Sequence, residues 1–192
     1  MIKNKNIFFI RHGQALDKVD ERIFVDHSEI ALSDKGVEQA CAVAKELQKP
    51  DLIIVSPYLR TVQTAGPIIS EFPDVPVELW DCYEFNPLSK TQHYASSRLE
   101  RRGFHGEYFE RNDCEYVNGA EVESFSHFIE RVDSILKRLR NIDKKNIVVV
   151  SHYWFINAVL MRLKSPYLKI TPKYFIEHEL DIKNTEIIKI EL

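Results

Sequence analysis

Short apolar runs alternate along the chain with longer stretches in which apolar residues recur at helical spacing. Residues 7–10, 52–55 and 147–150 contain no polar side chain, which is typical of strands buried on both faces of a parallel sheet. Residues 33–47 and 124–140 instead place apolar side chains at every third or fourth position, which favours amphipathic helices. The alternation predicts an α/β fold, a three-layer α/β/α sandwich with a mainly parallel central sheet and right-handed crossovers.

Weaker patterns predict the remaining elements. A helix is expected over residues 58–65, with Pro67 ending or bending it because proline has no amide hydrogen to donate. A short strand is expected near residues 77–79 and a buried helix over residues 153–163, which are apolar nearly all round. Residues 185–192 alternate isoleucine with charged residues, which predicts an edge strand.

The first predicted helix has a defined start and a defined apolar face. Ser33 is the expected N-cap, since serine accepts hydrogen bonds from the free amides of a first helical turn. Cys41 would then pack in the core and would not act as a reactive thiol. The residues expected to face the core are Val37, Ala40, Cys41, Ala44 and Leu47.

Two polar stretches interrupt the alternation. Residues 17–29 are expected to form a loop. Residues 81–119 are polar and aromatic and only weakly periodic, which is compatible with a lid or binding loop, or with a short helix and loops packed on one edge. The basic residues Arg98, Arg101 and Arg102 could bind a second anionic group on a substrate. They alternate with Glu100, so a solvated helix face is the simpler interpretation.

Three of the predicted strands end in residues that can bind or attack a phosphate. The strand over 7–10 is followed by Arg11-His12-Gly13, and the strand over 147–150 by Ser151-His152. The strand over 52–55 is followed by Ser56-Pro57, with Arg60 one turn later. Because parallel strands bring their carboxyl ends to one edge of the sheet, these residues are expected to surround one small anion.

This set of side chains has the chemistry that phosphoryl transfer requires. Arginines hold phosphoryl oxygens with two parallel hydrogen bonds, and a neutral histidine nitrogen can attack phosphorus. A second histidine can donate a hydrogen bond to an oxygen of the transition state. The alcohol that leaves must gain a proton, so an acid is expected nearby.

The same residues belong to motifs that occur in the order of a known family, over nearly the whole chain. The motifs are Arg11-His12-Gly13-Gln14, then Leu32-Ser33 with Gly36, Gln39 and Ala40, then Ser56-Pro57 with Arg60 and Gln63-Thr64-Ala65, then Glu123-Ser124 with Phe128 and Arg131, and finally Val149-Val150-Ser151-His152. In these motifs the chain resembles the histidine phosphatase superfamily, which has the phosphoglycerate mutase-like fold. The resemblance implies one domain over residues 1–192, with residues 81–119 as a lid or specificity insert.

The resemblance also implies roles for individual residues. His12 would be the nucleophile that becomes phosphohistidine, and His152 would share in catalysis. The proton donor would be an acidic residue before the long helix; Glu84 is the candidate and Asp81 is its rival. The implied phosphate-binding residues are Arg11, His12, Gln14, Arg60 and His152. No metal and no cofactor are implied.

The chain departs from the family pattern next to two of these residues. Tyr153 and Trp154 follow His152, where the family often has glycine, and would narrow the pocket, stack on substrate or point into the core. Phe85-Asn86-Pro87 replaces the usual glycine- and tryptophan-bearing signature after the acidic residue. Substrate preference is therefore not transferred from any branch of the family.

Composition limits the partners and the compartment. A formal net charge of −3 argues against nonspecific nucleic-acid binding, and no apolar stretch approaches bilayer length. Residues 1–6 lead into an apolar run too short for a signal peptide. Three widely spaced cysteines, without zinc-site spacing, favour a reducing compartment, so the cytoplasm is expected.

The histidines without motif context, which are expected to be structural, are His27, His93, His105, His127 and His178.

Three functions follow from this sequence. The first is a phosphatase that hydrolyses a phosphomonoester, with a small molecule or a phosphoprotein as substrate. The second is a cofactor-dependent phosphoglycerate mutase, which ranks lower because family mutases are generally longer chains. The third is a non-catalytic phosphate-binding module. The sequence carries no signal for the substrate or the oligomeric state.

Overall fold

A mixed five-stranded sheet in the order β3-β2-β4-β1-β5 forms the centre of the computed structural model, which describes residues 4–18 and 22–192. The strands are β1 (Asn6–Arg11), β2 (Leu52–Val55), β3 (Val77–Leu79), β4 (Asn146–Ser151) and β5 (Ile187–Glu191). All neighbouring pairs are parallel except β1 and β5. The predicted mainly parallel sheet with a carboxyl-terminal edge strand is confirmed.

Seven α-helices cover the two faces of the sheet. They are α1 (Asp34–Ala44), α2 (Leu59–Glu71), α3 (Lys90–His93), α4 (Arg98–Arg111), α5 (Phe125–Asn141), α6 (Tyr153–Lys164) and α7 (Pro172–Glu177) among the described residues. Alternate strand residues face opposite cores: Ile54 and Val149 pack with α5 and α6, whereas Val55 and Val150 pack with α1 and α2. The sandwich therefore has the three layers that the sequence predicts.

The register of β1 and β4 determines where the site forms. Arg11 lies opposite Ser151, so the residues that follow both strands emerge side by side. The adjacent strand β2 pairs with β4 up to Val55, just before Ser56. The expected convergence of these strand ends is confirmed.

The buried face of α1 differs from the predicted one. Val37 and Cys41 are exposed, and Gly36 and Val43 are buried instead, together with the correctly predicted Ala40 and Ala44. The first turn of α1 approaches the chain after β1 so closely that only a glycine fits at Gly36. This contact turns the face with Gly36 and Val43, and not Val37 and Cys41, toward the core. The helical spacing therefore predicted the helix correctly but part of its buried face wrongly.

Helix α2 extends past its predicted end. Pro67 lies inside the helix, which continues to Glu71, so the expectation that Pro67 ends it is wrong. Ala65 and Ile68 are fully buried on either side of the proline. Their packing stabilises the turn in spite of the missing amide, since tertiary contacts supply most of the stability of a helix in a protein.

The segment 81–119 contains more helix than the sequence pattern suggests. Ser89 and Ser97 begin α3 and α4 with reciprocal side-chain and backbone hydrogen bonds. Tyr108 and Phe109 are buried, and α4 packs against α7. The second interpretation, helix and loops packed on an edge, describes this segment better, although α4 is 14 residues long.

Other expectations concern the surface and the chain as a whole. Cys82 is buried and Cys41 exposed, and all three cysteines are free. Among the described ranges, no helix combines the length and the apolar character needed to cross a bilayer. The expected loop over residues 17–29 and the short leader over residues 1–6 each fall in part outside the described residues.

Candidate active site

The chain that follows β1 is held in place by side chains from two helices. The Gly13 amide donates to Thr64 Oγ1 of α2 at 3.0 Å, and the Gln14 amide donates to Gln39 Oε1 of α1 at 2.9 Å. Thr64 and Gln39 are therefore motif residues that position the loop through its backbone. Amides that are fixed in this way hold the adjacent His12 in a defined orientation.

Two glycines let this loop lie directly on α1. A methyl group at Gly36 would overlap the backbone carbonyl oxygen of Gln14, and one at Gly13 would overlap the carbonyl oxygen of Gly36. Both obstacles are backbone atoms, which cannot swing aside as a flexible side chain can. The sequence therefore needs glycine at both positions for this close approach.

The ring of His12 has a defined tautomer. Its Nδ1 lies 2.7 Å from the Gly13 carbonyl oxygen, and Arg60 Nε donates to its Nε2 at 3.2 Å. A carbonyl oxygen only accepts hydrogen bonds, so the proton of neutral His12 is on Nδ1. The Nε2 atom therefore carries the lone pair that a nucleophile needs. Asn184 supports the same residue by donating to the His12 carbonyl oxygen at 2.8 Å.

Two arginines flank His12. Arg60 is buried, and its Nη1 donates to the His27 carbonyl oxygen at 2.7 Å. Arg11 donates to the Ile182 carbonyl oxygen, and its guanidinium lies 4.7 Å from the centre of the Tyr153 ring. Burial lowers the pKa of both guanidinium groups, although arginine stays protonated in proteins.

The second motif histidine, His152, is fully buried beside the first. Its ring centre lies 5.2 Å from that of His12, and its Nε2 lies 2.7 Å from Ser56 Oγ. Burial holds the pKa of His152 well below its usual range, so the ring is neutral. Its Nδ1 has no hydrogen-bond partner within the described ranges. If Ser56 donates to Nε2, Nδ1 carries a hydrogen available to a bound oxygen atom.

Glu84 contacts the start of α6. Its Oε1 accepts hydrogen bonds from the amides of Trp154 at 3.0 Å and Phe155 at 3.3 Å. These first-turn amides therefore bind Glu84, not a ligand. Burial nevertheless raises the pKa of Glu84 to about 7, a suitable value for an acid that works near neutral pH. The rival Asp81 is exposed, so the structure brings Glu84 and not Asp81 to the site.

These side chains line one cavity of about 390 Å³. Arg11, His12, Arg60 and Glu84 form part of its wall, whereas His152 is buried, packs edge-to-face on the His12 ring and does not line the cavity. The sequence analysis did not select the other polar residues that line it, which are Asp17, His27, Asn86, His93, Arg101, His105, Glu179 and Asp181. The cavity is lined on one side by His12 and on another by Glu84, and its volume can hold a phosphoryl group between them.

The residues that sequence reasoning missed come from segments without periodic patterns. Arg101 was assigned to a solvated helix face together with Arg98 and Arg102, but its side chain is buried and donates to the Ser96 carbonyl oxygen at 2.6 Å. His93 is also buried, and its ring centre lies 5.1 Å from that of His27.

The structure gives positions to Gln14, which was predicted to bind phosphate, and to Tyr153 and Trp154, whose orientation was left open. Gln14 is not among the residues that line the cavity, and its Oε1 accepts a hydrogen bond from Ser33 Oγ at 3.1 Å. Tyr153 and Trp154 do line the cavity, so they do not simply fill the core. Trp154 Nε1 donates to Glu179 Oε2 at 2.8 Å, and its ring packs on His105.

Comparisons with known proteins agree with this geometry. A family model described as the histidine phosphatase superfamily (branch 1) matches residues 7–192. The structure is similar to a phosphoserine phosphatase from Entamoeba histolytica, solved in complex with 3-phosphoglyceric acid, with a TM-score of 0.71, 22% identity, and coverage of 96% of this chain and 89% of that one. An alpha-ribazole phosphatase from Shigella flexneri gives a TM-score of 0.69 and 22% identity, over 92% of this chain and 86% of that one.

One curated protein shares higher local identity. A mannitol-1-phosphatase from Eimeria tenella is 35% identical over 79 residues, which cover 35% of this chain and 26% of that protein. The matched part of this chain therefore spans about a quarter of the relative's length.

Proposed function

This chain belongs to the histidine phosphatase superfamily, branch 1, and on that basis we propose that it hydrolyses a phosphomonoester through a phosphohistidine formed on His12. The observation that carries the proposal is the tautomer of His12. Its Nδ1 faces the Gly13 carbonyl oxygen and its Nε2 faces Arg60 Nε, so the lone pair points to a group that binds phosphate. The nucleophile and the anion-binding arginine thus meet at one atom.

The first half of the reaction transfers the phosphoryl group to the protein. When the substrate binds, Arg60 Nε exchanges its hydrogen bond to His12 Nε2 for one to a phosphoryl oxygen, which frees the lone pair. His12 Nε2 then attacks phosphorus, the bond from phosphorus to the ester oxygen breaks, and Glu84 gives its proton to the departing alcohol. Arg11 and Arg60 neutralise the phosphoryl oxygens, so the proposal assigns no step to a metal ion. With Ser56 donating to its Nε2, His152 donates a hydrogen bond from Nδ1 to a phosphoryl oxygen, a contact that strengthens as charge develops.

The second half returns the protein to its starting state. Glu84, now a carboxylate, accepts a proton from water as the water oxygen attacks phosphorus. The bond between phosphorus and His12 Nε2 breaks, and inorganic phosphate leaves. A pKa near 7 lets Glu84 act as acid in one step and as base in the next.

The relatives support a phosphatase and leave the substrate open. The similar solved structures are phosphatases in name, but at 22% identity they establish the fold alone. The mannitol-1-phosphatase match covers about a quarter of that protein, so its substrate is one candidate for testing. We take the substrate to be a small phosphomonoester and retain a phosphoprotein as a member of the test panel.

We further propose that residues 1–192 form one phosphatase domain in which residues 81–119 select the substrate. This segment contributes His93, Arg101 and His105 to the cavity wall. Three free cysteines support a reducing compartment such as the cytoplasm. Fractionation of cells that produce the tagged protein tests the location, and recovery in a secreted fraction would contradict it.

Turnover by a His12→Ala variant tests the proposed function. Hydrolysis of phenyl phosphate, in buffer containing a metal chelator, is expected for the wild-type protein and absent in the variant. His127→Ala is the matched control, because His127 is exposed on α5 and does not line the cavity. Both variants should unfold at the same temperature as the wild type, within a few degrees. Undiminished turnover by His12→Ala would contradict the proposal.

Two further measurements separate the alternatives. Acid-labile, alkali-stable labelling of the wild type by a radioactive phosphomonoester is expected, and it should disappear in His12→Ala. A coupled assay with 3-phosphoglycerate and a bisphosphoglycerate primer tests for mutase activity. Phosphate binding without hydrolysis of any ester in a broad panel would instead indicate a binding module.

A further inference from the structure

A larger cavity of about 720 Å³ adjoins the phosphoryl cavity. The two cavities share His27, Glu84, Asn86 and His93 in their walls, whereas His12 and Arg60 line only the smaller one. We call the larger space the leaving-group cavity. Nothing in the proposed reaction so far uses it.

The reaction geometry gives this cavity a role, and this step rests on the proposed function. The leaving oxygen lies in line with His12 Nε2 on the far side of phosphorus, and Glu84 must reach it to deliver a proton. Because Glu84 lines both cavities, the alcohol beyond that oxygen can extend into the larger one. We propose that the leaving-group cavity holds the alcohol of the substrate, and that this alcohol is a sugar or sugar alcohol without a second anionic group.

The charge of the wall argues against a second anionic group. Asp26, Glu121 and Glu123 line the leaving-group cavity together with Glu84, and Lys90 is the cationic lining residue among those described. Lys90 is already paired with Glu121, and Arg131 is paired with Glu123. Glu84 carries a proton when it acts as the acid, so Asp26 is the lining carboxylate that remains outside these pairs. A carboxylate or second phosphate on the alcohol would therefore meet no free cation among the described lining residues and would approach Asp26, and such a like-charge contact disfavours binding.

Arg101 does not add a positive charge to the wall of the leaving-group cavity. It lines the phosphoryl cavity and not the leaving-group cavity. Its Nη2 donates to the Asp17 carbonyl oxygen at 3.4 Å. Burial lowers the pKa of Arg101, and the nearby Asp17 carboxylate opposes that shift by favouring the charged guanidinium. Its charge is therefore offset by Asp17 within the same small cavity.

The tyrosines of the leaving-group cavity favour a ligand rich in hydroxyl groups. Tyr58 and Tyr83 stack with ring centres 5.6 Å apart, and the Arg131 guanidinium lies 3.7 Å from the centre of the Tyr83 ring. Protein groups thus cover the faces of Tyr83, and its edge and hydroxyl remain for a ligand. Tyrosine hydroxyls and carboxylates accept hydrogen bonds, which the hydroxyl groups of a sugar or polyol can donate.

The size of the cavity agrees with this class of alcohol. Small-molecule sites commonly measure about 300–1,000 Å³. A three-carbon alcohol such as glycerate or serine would leave most of a 720 Å³ space to water. A sugar, a sugar alcohol or a glycoside uses more of the wall and reaches Tyr83 and Glu121 beyond Glu84.

A comparison of four esters tests the inference. The values of kcat/KM are measured for mannitol 1-phosphate, glucose 6-phosphate, 3-phosphoglycerate and phosphocholine, with phenyl phosphate as the reference. At least one of the two sugar phosphates is expected to exceed the acidic ester by about 10-fold or more. It is also expected to exceed the cationic ester, because Tyr58 and the Arg131 guanidinium already cover the ring faces of Tyr83 that could bind a cation. A higher value for 3-phosphoglycerate or phosphocholine than for both sugar phosphates would overturn the inference.

Variants of the cavity wall link the preference to named residues. Tyr83→Phe should lower kcat/KM for the preferred sugar phosphate, relative to phenyl phosphate, by about 3- to 10-fold through the lost hydroxyl. Tyr167→Phe is its control, because Tyr167 is fully exposed. Glu121→Lys should shift the ratio toward 3-phosphoglycerate by about two- to fivefold. Glu46→Lys, on the surface near α1, makes the same charge change outside both cavities.

The outcomes separate this inference from the proposed function. Hydrolysis of phenyl phosphate that depends on His12, without any preference for the sugar phosphates, would overturn the inference and leave the phosphatase intact. Without phenyl phosphate hydrolysis, the phosphatase proposal fails, and calorimetric titration of the same four esters still decides the ligand class. Tighter binding of a sugar phosphate, weakened by Tyr83→Phe, would support the inference.

Discussion

Arg60 Nε donates a hydrogen bond to His12 Nε2 at 3.2 Å, so the arginine of α2 is bound to the atom that we propose as nucleophile. The Nη1 atom of the same guanidinium donates to the His27 carbonyl oxygen at 2.7 Å. Arg60 therefore orients His12 from a position that is itself fixed. The planar fork of donors is essential to this arrangement, because an ammonium group cannot make both contacts with the same geometry.

Replacement of Arg60 by lysine keeps the charge and removes the fork. We expect Arg60→Lys to lower kcat/KM for phenyl phosphate by about 100-fold or more, as for the loss of a donor to the transition state. Arg102→Lys is the control, since Arg102 is exposed on α4. Steady-state kinetics check the result, and a loss smaller than about threefold would show that charge alone is sufficient.

Glu84 is expected to matter according to how readily the alcohol leaves. Glu84→Gln removes the proton that an alkyl alcohol needs, and general acids contribute about 10²- to 10⁴-fold. A nitrophenolate leaves without a proton, so p-nitrophenyl phosphate should form phosphohistidine at a nearly unchanged rate. Single-turnover kinetics with glycerol phosphate and p-nitrophenyl phosphate measure this contrast. Equal losses for both esters would assign Glu84 a structural role only.

The raised pKa of Glu84 also predicts how stability depends on pH. Burial raises the pKa of Glu84 from an ordinary 4.5 to about 7, so the folded protein binds this proton more tightly than the unfolded chain. The contribution to the free energy of unfolding is fully present below pH 4.5 and is lost as the pH rises through about 7. Glu84→Gln has no carboxyl group to deprotonate at this position, so it does not lose this stability as the pH rises. Urea unfolding at pH 4.5 and pH 8 should show the variant gaining stability relative to wild type at the higher pH.

The residues next to strand ends were predictable because topology alone brings them together. Arg11 is the last residue of β1 and His152 directly follows β4, and the parallel register of these two strands brings them to neighbouring positions. Glu84 follows no such rule, and only the resemblance to a family pointed to it. Its contact with the first turn of α6 depends on the path of the chain after β3, which the apolar pattern does not encode.

Other features of the site could not be predicted from the pattern of apolar and polar residues. His27 meets Arg60 through a backbone carbonyl, which any residue would provide, in a polar stretch without periodicity. Helical spacing predicted that Cys41 and Val37 face the core. They are exposed, because the close approach at Gly36 turns a different face of α1 toward the core. The two motif glycines were the available signal, since small residues mark places where backbones touch.

The contact between Gly36 and Gln14 predicts a specific effect of one methyl group. In Gly36→Ala the new Cβ overlaps the Gln14 carbonyl oxygen, and the overpacking should lower the free energy of unfolding by about 1–3 kcal/mol. The loop that carries His12 should also shift and reduce kcat. Gly103→Ala, within α4 with open space around its Cβ, should instead add about 0.5–1 kcal/mol. Urea denaturation compares the two variants, and equal effects would contradict the close contact.

Arg131 connects α5 to the chain that leads to Glu84. Its Nη1 donates to the carbonyl oxygens of Asp81 and Tyr83 at 2.9 Å each, and its Nε donates to Glu123 Oε2 at 3.1 Å. Its side chain is 11% exposed, so removal leaves these acceptors poorly solvated. Arg131→Ala should therefore lower the free energy of unfolding by about 1.5–3 kcal/mol.

Arg138 is a matched control for Arg131. It also lies over an aromatic ring, that of Trp80, and pairs with a carboxylate, Glu78, but its side chain is 56% exposed. Arg138→Ala should cost about 1 kcal/mol or less, because exposed ion pairs contribute little. Arg131→Ala should additionally slow turnover of glycerol phosphate more than that of p-nitrophenyl phosphate, since a displaced Glu84 delivers its proton less efficiently. A uniform slowing of both esters would show that Arg131 stabilises the fold without positioning Glu84.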